Sequence, residues 1–175
     1  CAVAVAMAEA VEDACGFRPG IKWTNDLVVG TKKLGGILTE LSLDHAGNVA
    51  YAVIGIGINC NQSADDFPAD IENIATSLRL CTGQAIDRAA VIAHILMSLQ
   101  NMWEQLEDVK SILEAYRQNC VTIGQEVSVV RADDIRHGKA LDVDESGALL
   151  VQFDDGNIQA VNSGEVSIRG MYGYV

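Results

Sequence analysis

The chain has 175 residues, of which 49% are hydrophobic and 21% charged, and its formal net charge is -12 at pH 7. This composition is typical of a globular protein with a real core and excludes an intrinsically disordered chain. So acidic a chain is not expected to bind nucleic acid or an anionic membrane over a broad face, and no window approaches the roughly 18 apolar residues of a membrane span.

The five cysteines are widely spaced and form neither a Cys-x-x-Cys pair nor a metal-like pattern with histidine. This usage is typical of reduced thiols in a cytosolic protein. The chain opens on Cys1, within a stretch of helix formers and with no basic region before it. We therefore expect a missing upstream part and no signal peptide.

The N-terminal third begins with small, apolar and acidic helix formers, which predict a buried helix over residues 2–15. Short strands are predicted over residues 21–23 and 27–29. Between them lies Thr24-Asn25-Asp26, a tripeptide that favours a turn.

Two longer strands are predicted next, over residues 37–43 and 49–58, with a hairpin loop between them. The second run is rich in β-branched residues, which favours a central strand. Short strands that follow one another without intervening helices predict an antiparallel meander and an α+β fold.

Helices are expected again beyond residue 70. A short helix is predicted over 71–80, a long one over 87–107 and a shorter one over 109–119. In the long helix the apolar residues recur at helical spacing, and we expect them in the core: Ile92, Ile95, Leu96, Leu99, Met102, Trp103 and Leu106.

Near residue 121 the helix formers give way to short alternating strands, over 127–131, 139–143, 149–153, 158–161 and 165–168. Turn-forming residues separate several of these strands. Such a succession of short strands predicts a small SH3-like barrel and a domain boundary at about residue 120.

Two features of the N-terminal half suggest a ligand site. Lys22, Lys32 and Lys33 lie close together in an otherwise acidic chain, which suits a carboxylate or phosphate; three solvated lysines are the alternative. The pair Gly35-Gly36 lies at the start of a predicted strand, where glycine indicates either a bulge or a ligand against the backbone.

Two further features carry polar groups. Gly55 and Gly57 leave one face of a strand bare, and Asn59 closes the run with donor and acceptor groups that suit a purine or ribose. Asn25 and Asp26 place an amide beside a carboxylate in the predicted turn. Asp26 could hold Mg²⁺ or orient a ribose hydroxyl, and an ordinary Asx-turn is the alternative.

In this order, the motifs resemble those of the biotin–protein ligase family: Lys-Trp-Pro-Asn-Asp, Lys-Leu-x-Gly-Ile-Leu-x-Glu and Gly-x-Gly-x-Asn. The first occupies residues 22–26, with Thr24 in place of proline, a change expected to loosen the turn. The second and third are complete at residues 33–40 and 55–59, and residues 164–169 look like the family's closing strand. The resemblance covers nearly the whole chain.

The resemblance implies an α+β, class II aminoacyl-tRNA-synthetase-like catalytic domain over residues 1–120, incomplete at its N-terminus, and an SH3-like barrel over 121–175. It implies a cytoplasmic ligase that uses ATP, biotin and Mg²⁺ and modifies the biotin carboxyl carrier domain of a carboxylase. The family's Gly-Arg-Gly-Arg-x-Gly-Arg loop, and the DNA-binding winged helix of some members, are not in this sequence.

Site residues follow from the matched motifs. The resemblance implies that Lys33 is the catalytic residue, in contact with the biotin carboxylate and the α-phosphate. It implies that Gly35, Gly36 and Ile37 form the wall against which biotin lies. Lys22 is expected near the nucleotide.

The remaining site residues are assigned to the nucleotide by the same resemblance. Asn25 and Asp26 are expected to face the nucleotide and Mg²⁺, and Gly57 and Asn59 the adenosine part. Arg169 is expected to reach back to the nucleotide or acceptor from the small domain, with a solvated arginine as the alternative.

Three other interpretations stay open. A lipoate or octanoate transferase has a similar fold and also modifies a carrier lysine, although the motif set favours biotin. An inactive fragment would only bind an acceptor or dimerise, and an SH3-like binding module would account for only the last third of the chain. Members of the family often pair through their central sheets, and residues 49–58 are the candidate for a homodimer contact.

Overall fold

The computed structural model describes residues 1–131 and 134–162, together with the backbone of residues 167–170. The helices of this part of the chain are α1 (Ala2–Cys15), α2 (Leu78–Thr82), α3 (Arg88–Glu104) and α4 (Val109–Asn119), with a 3-10 turn over Ala64–Asp66. The strands are β1 (Gly20–Lys22), β2 (Asp26–Val29), β3 (Lys32–Leu43), β4 (Val49–Ile58), β5 (Glu126–Arg131), β6 (Asp134–Val143), β7 (Leu149–Phe153), β8 (Ile158–Val161) and β9 (Ser167–Gly170).

The first sheet is antiparallel throughout, in the order β1-β2-β3-β4. Helix α1 packs against it and against α3 and α4. The predicted helix over residues 2–15 is confirmed, and it ends where Gly16 adopts a left-handed conformation and donates its N–H to Glu12 O. Met7 and Val11 of this helix are fully buried, so α1 forms the centre of the core.

Helix α3 confirms the predicted helix over residues 87–107, but only part of the predicted core face is covered. Ile95 packs against the core, and Leu99 and Met102 are half-buried. The side chains of Ile92, Leu96 and Trp103 are 56%, 61% and 72% exposed. Val91 and Ser98, which the pattern does not single out, are buried. The helix turns this narrower face toward α1, whose small alanines allow close approach. The apolar pattern predicts a helix with an apolar face, but it does not determine which part of that face another element covers.

Strand β4 is an edge strand of the first sheet, so the prediction of a central strand was wrong. Its side chains are largely exposed, among them Val49, Tyr51 and Val53. The β-branched residues fit a pleated strand equally well at an edge and at the centre. The helix predicted over 71–80 is also largely wrong, since α2 begins only at Leu78.

The second sheet is antiparallel in the order β8-β7-β6-β5-β9, as expected for the small SH3-like domain. Its interior includes the buried side chains of Val143, Leu149 and Val151. The chain joins it to the first sheet at Val121, whose N–H donates to Ile21 O at 2.9 Å. One cluster of buried apolar residues runs through both parts.

Candidate active site

An ion pair lies at the middle of the candidate site. Lys33 Nζ of β3 is 2.6 Å from Asp26 Oδ1 of β2, and both side chains are partly exposed. The backbone of Lys33 is held by the 74–76 segment: its N–H donates to Ile74 O, and its carbonyl accepts from Thr76 N. The lysine is therefore fixed both at its backbone and at its ammonium group.

The two glycines of β3 leave room for this arrangement. A Cβ on Gly36 would lie 3.0 Å from Asp26 Oδ1 and 3.3 Å from Lys33 Nζ. A Cβ on Gly35 would lie 2.4 Å from Gly57 O. The pairing of β2 with β3 also shifts register at this point, so a bulge and a close backbone approach are both present.

The turn between β1 and β2 carries the other predicted polar groups. Asn25 Nδ2 donates to Ile37 O, and the Ile37 N–H donates to Asn25 O at 2.9 Å. Lys22 lies opposite Asp26 in the strand register. The pKa of Lys22 is lowered to about 8, chiefly by partial burial; the charge of Asp26 opposes the shift, and the positive charge of Lys33 adds to it. The Trp23–Thr24 peptide bond is cis.

Two cavities meet at Lys33. The first, of about 560 Å³, we name the Asn59 cavity, and its lining residues are Lys33, Gly35, Gly36, Gly57, Ile58, Asn59, Gln62, Asp66, Phe67, Ile71, Ile74 and Ala75. The second, of about 470 Å³, we name the Ile37 cavity, and its lining residues are Asn25, Asp26, Lys33, Gly36, Ile37, Leu38, Gly55, Ile56 and Gly57. Lys33, Gly36 and Gly57 line both.

The predicted site residues are thus divided between the cavities. Asn25 and Asp26 line the Ile37 cavity, whereas Asn59 lines the other. Asn59 is held in place, because its Nδ2 donates to Thr76 O at 3.0 Å. Lys22 is not among the lining residues of either cavity. The backbone of Arg169 lies in β9, and its side chain is outside the described part of the chain.

Sequence reasoning missed the residues that the irregular 61–76 segment contributes. Gln62, Asp66, Phe67 and Ile71 all line the Asn59 cavity. The side-chain oxygen of Gln62 is buried and has no hydrogen-bond partner among the described residues. Apolar Phe67 and Ile71 within a polar stretch were the available signal, since loops often carry binding residues.

Side chains that could hold a metal ion by themselves are not clustered in the described part of the chain. In residues 1–131 and 134–162, no group of three or more His, Cys, Asp and Glu side chains is placed to hold a metal ion. A Mg²⁺ ion beside Asp26 would therefore take most of its ligands from nucleotide phosphates and water, which is the usual arrangement for this ion. No described helix is long and apolar enough to cross a membrane.

Two family models match the chain. Residues 1–59 match the biotin/lipoate A/B protein ligase family, and residues 122–169 match the biotin protein ligase C-terminal domain. The first match includes Lys33, Asp26 and Asn59, and the second covers most of the second sheet.

The chain is also similar to named ligases. It is 36% identical over 170 residues to the bifunctional ligase/repressor BirA of Bacillus subtilis, and the alignment covers 94% of this chain and 51% of that protein. The chain therefore spans about half the length of this relative. It is 30% identical over 174 residues to the biotin–[acetyl-CoA-carboxylase] ligase of Paracoccus denitrificans, and this alignment covers 95% of this chain and 71% of the relative.

Solved structures agree with these sequence matches. The apo structure of the biotin protein ligase from Aquifex aeolicus superposes with a TM-score of 0.84 at 29% identity, covering 97% of this chain and 73% of that one. The same ligase in complex with biotin and ATP gives a TM-score of 0.82 at 28% identity, covering 97% and 69%. The chain belongs to the biotin protein ligase family.

Proposed function

We propose that the protein containing this chain activates biotin with ATP to biotinyl-5'-AMP and then transfers biotin to a lysine of a carboxylase's biotin carboxyl carrier domain. The observation that carries this proposal is the position of Lys33, which lines both cavities at their junction. A fixed cation at the junction favours a reaction that joins two anionic ligands, because it holds them together and stabilises the negative charge that builds on oxygen. The related Aquifex ligase has been solved in complex with biotin and ATP, which supports this choice of ligands.

In the first step, biotin lies in the Ile37 cavity with its carboxylate toward Lys33, and the nucleotide lies in the Asn59 cavity. A carboxylate oxygen attacks the α-phosphorus, a new O–P bond forms, and the bond to the bridging oxygen breaks to release pyrophosphate. An ammonium group has three donors. Asp26 takes one of them in the ion pair, which leaves two for the carboxylate and the α-phosphate.

In the second step, the acceptor lysine attacks the acyl carbon of biotinyl-AMP. An amide bond forms, the acyl C–O bond breaks, AMP leaves and the amine loses a proton. Negative charge builds on oxygen here as well, so the Lys33 ammonium stabilises both transition states. Asp26 keeps that ammonium in position in both steps.

The remaining site residues divide in the same way. Gly36 and Ile37 form the wall of the biotin cavity, with Gly35 supporting them. Gly57 and Asn59 contact the adenosine part. Asn25 and Asp26 both border the biotin cavity. The Asn25 amide is engaged with Ile37 O, whereas Asp26 pairs with Lys33. We therefore propose that Asp26 alone of the two acts on the phosphates, through Lys33 and through Mg²⁺ when it is bound. Mg²⁺, when bound, would neutralise part of the negative charge of the nucleotide phosphates.

Two further residues are proposed on other grounds. Lys22 is placed opposite Asp26, and we propose that it adds positive potential near the phosphates. We retain Arg169 as a nucleotide or acceptor contact on the strength of the resemblance alone.

The larger organisation is also proposed. We infer a catalytic domain over residues 1–120 and a C-terminal domain over residues 121–175, supported by the two separate sheets. We propose a cytoplasmic protein whose homodimer contact, if it pairs, uses the exposed edge strand β4.

The test is biotin transfer by the chain and by a longer version that restores the glycine–arginine loop. Each is incubated with ATP, Mg²⁺, biotin and a biotin carboxyl carrier domain, and the mass of the acceptor is measured by mass spectrometry. A parallel reaction contains lipoate instead of biotin, and the Lys33→Ala variant is the control. We expect the mass of biotin on the acceptor, lost in Lys33→Ala. Transfer only by the longer version would mean that the chain needs the loop. Lipoate transfer, or no transfer by either version, would refute the proposal.

A further inference from the structure

The turn that carries Asn25 and Asp26 is held by hydrogen bonds to α4 and to the part of the chain that follows it. The Trp23 N–H donates to Thr122 Oγ1 at 2.9 Å, and the Tyr116 hydroxyl donates to Thr24 O at 3.0 Å. The indole Nε1 of Trp23 donates to Gly147 O, also at 3.0 Å. These partners are 92 to 124 residues away in sequence, so only the folded C-terminal part provides them.

Two of these partners, Tyr116 and Thr122, have buried side chains. Tyr116 of α4 is fully buried, and Thr122 is 5% exposed. Burial raises the pKa of the Tyr116 hydroxyl far above its usual range, which keeps it a hydrogen-bond donor at any physiological pH. A buried donor that loses its acceptor, or a buried acceptor that loses its donor, is costly. The turn therefore has one preferred position relative to α4 and the second sheet.

On its other side the same turn determines the geometry of the ion pair. Asp26 follows the held residues Trp23 and Thr24 by three and two positions, and its carboxylate is 2.6 Å from Lys33 Nζ. The wall of the Ile37 cavity is held chiefly by the direct pairing of β3 with β4, and Asn25 of the turn adds two hydrogen bonds to the Ile37 backbone. A shift of the turn would thus move Asp26 and the lysine ammonium directly, whereas the pairing with β4 would keep β3 itself in place.

We propose that Tyr116 and Thr122 are positioning residues for the biotin-activation step, acting through the turn that places Asp26 against Lys33. They touch neither cavity, and their effect is on the geometry of the charged pair. This inference rests on the proposed function for its catalytic consequence. The positioning itself is a property of the fold and can be measured without catalysis.

The kinetic test compares Tyr116→Phe and Thr122→Val with Thr122→Ser in the full-length protein, by biotin-dependent exchange of labelled pyrophosphate into ATP. Phe removes the hydroxyl that donates to Thr24 O, and Val removes the hydroxyl that accepts from the Trp23 N–H, whereas Ser keeps a hydroxyl at position 122. We expect kcat to fall about tenfold in the first two variants, because small misplacements of catalytic groups are costly, with KM for biotin near its native value. Thr122→Ser and the exposed control Thr39→Val are expected to retain native kcat.

A role in stability alone would give a different result. It would lower the melting temperature of Tyr116→Phe and Thr122→Val while the folded enzyme kept its native kcat, and that outcome overturns the proposal. So would an equal loss of kcat in Thr122→Ser and Thr122→Val, since the hydroxyl would then be irrelevant.

The second measurement is hydrogen–deuterium exchange of the peptide covering residues 20–29. We expect faster exchange in Tyr116→Phe and Thr122→Val and native exchange in Thr122→Ser, with or without ligase activity. Unchanged exchange in the first two variants would overturn the positioning role. If exchange changes as expected while even the unaltered protein fails to activate biotin, the positioning stands and the proposed function fails.

Discussion

Replacing Lys33 with Met is expected to abolish most of the biotin-activating activity while leaving the fold intact. The side chain is 41% exposed and its ion-pair partner Asp26 is 20% exposed. An ion pair with this much solvent contact contributes about 0–1 kcal/mol to stability, so the melting temperature should change little. Removing a fixed donor from the position where charge develops costs about 10²- to 10³-fold in kcat, or about 2.7–4 kcal/mol.

The neighbouring lysine provides a matched control. Lys32 lies on the same strand, and its Nζ donates to Glu72 O at 3.3 Å, outside both cavities. Lys32→Met makes the same change of charge and size one residue away, and we expect near-native activity. Biotin-dependent pyrophosphate exchange is the assay, with melting temperature measured on the same samples. Equal loss in both variants, or native kcat in Lys33→Met, would refute the reasoning.

Three further outcomes are expected. Gly36→Ala should lower kcat about tenfold or more, because the added Cβ crowds the ion pair of Lys33 and Asp26. Its stability should be unchanged or slightly raised, because Ala restricts the unfolded chain. A native pyrophosphate-exchange rate would contradict this prediction. Since the pKa of Lys22 is lowered from 10.5 to about 8, the unfolded chain binds more protons between these values, so the free energy of unfolding should rise with pH there. Urea titrations of Lys22→Met should lack that rise. In urea unfolding of the 175-residue chain, Trp103→Gln should change the free energy of unfolding by less than about 0.5 kcal/mol, because Trp103 is exposed. Met7→Ala should lower it by about 2–5 kcal/mol, because Met7 is fully buried. Similar losses in the two variants would mean that Trp103 is part of the core.

Local sequence patterns were sufficient to predict most of the elements. The helices over 2–15, 87–107 and 109–119 correspond closely to α1, α3 and α4, because apolar spacing and helix propensity act over a few residues. The strand pairs around the hairpin at residues 44–48 were predictable for the same reason. The motif at 33–40 also indicated the lysine at which the two cavities meet.

Burial and the full lining of the site depended on contacts between distant segments. The apolar pattern of α3 could not show that Ile92 and Leu96 face away from α1. The 61–76 segment has little regular structure, so only its hydrogen bonds to β3 place Phe67 over the Asn59 cavity. The bonds from Tyr116 and Thr122 to the turn join segments more than 90 residues apart, and no local pattern predicts them.

The most direct test of the account is a crystal structure of the full-length protein with a non-hydrolysable biotinyl-adenylate analogue. We expect adenosine in the Asn59 cavity and the biotin rings in the Ile37 cavity. Lys33 Nζ should lie about 3 Å from the oxygens of the linking group. An analogue bound elsewhere, or one whose linking group does not contact Lys33, would contradict the claim that this lysine joins the two substrates.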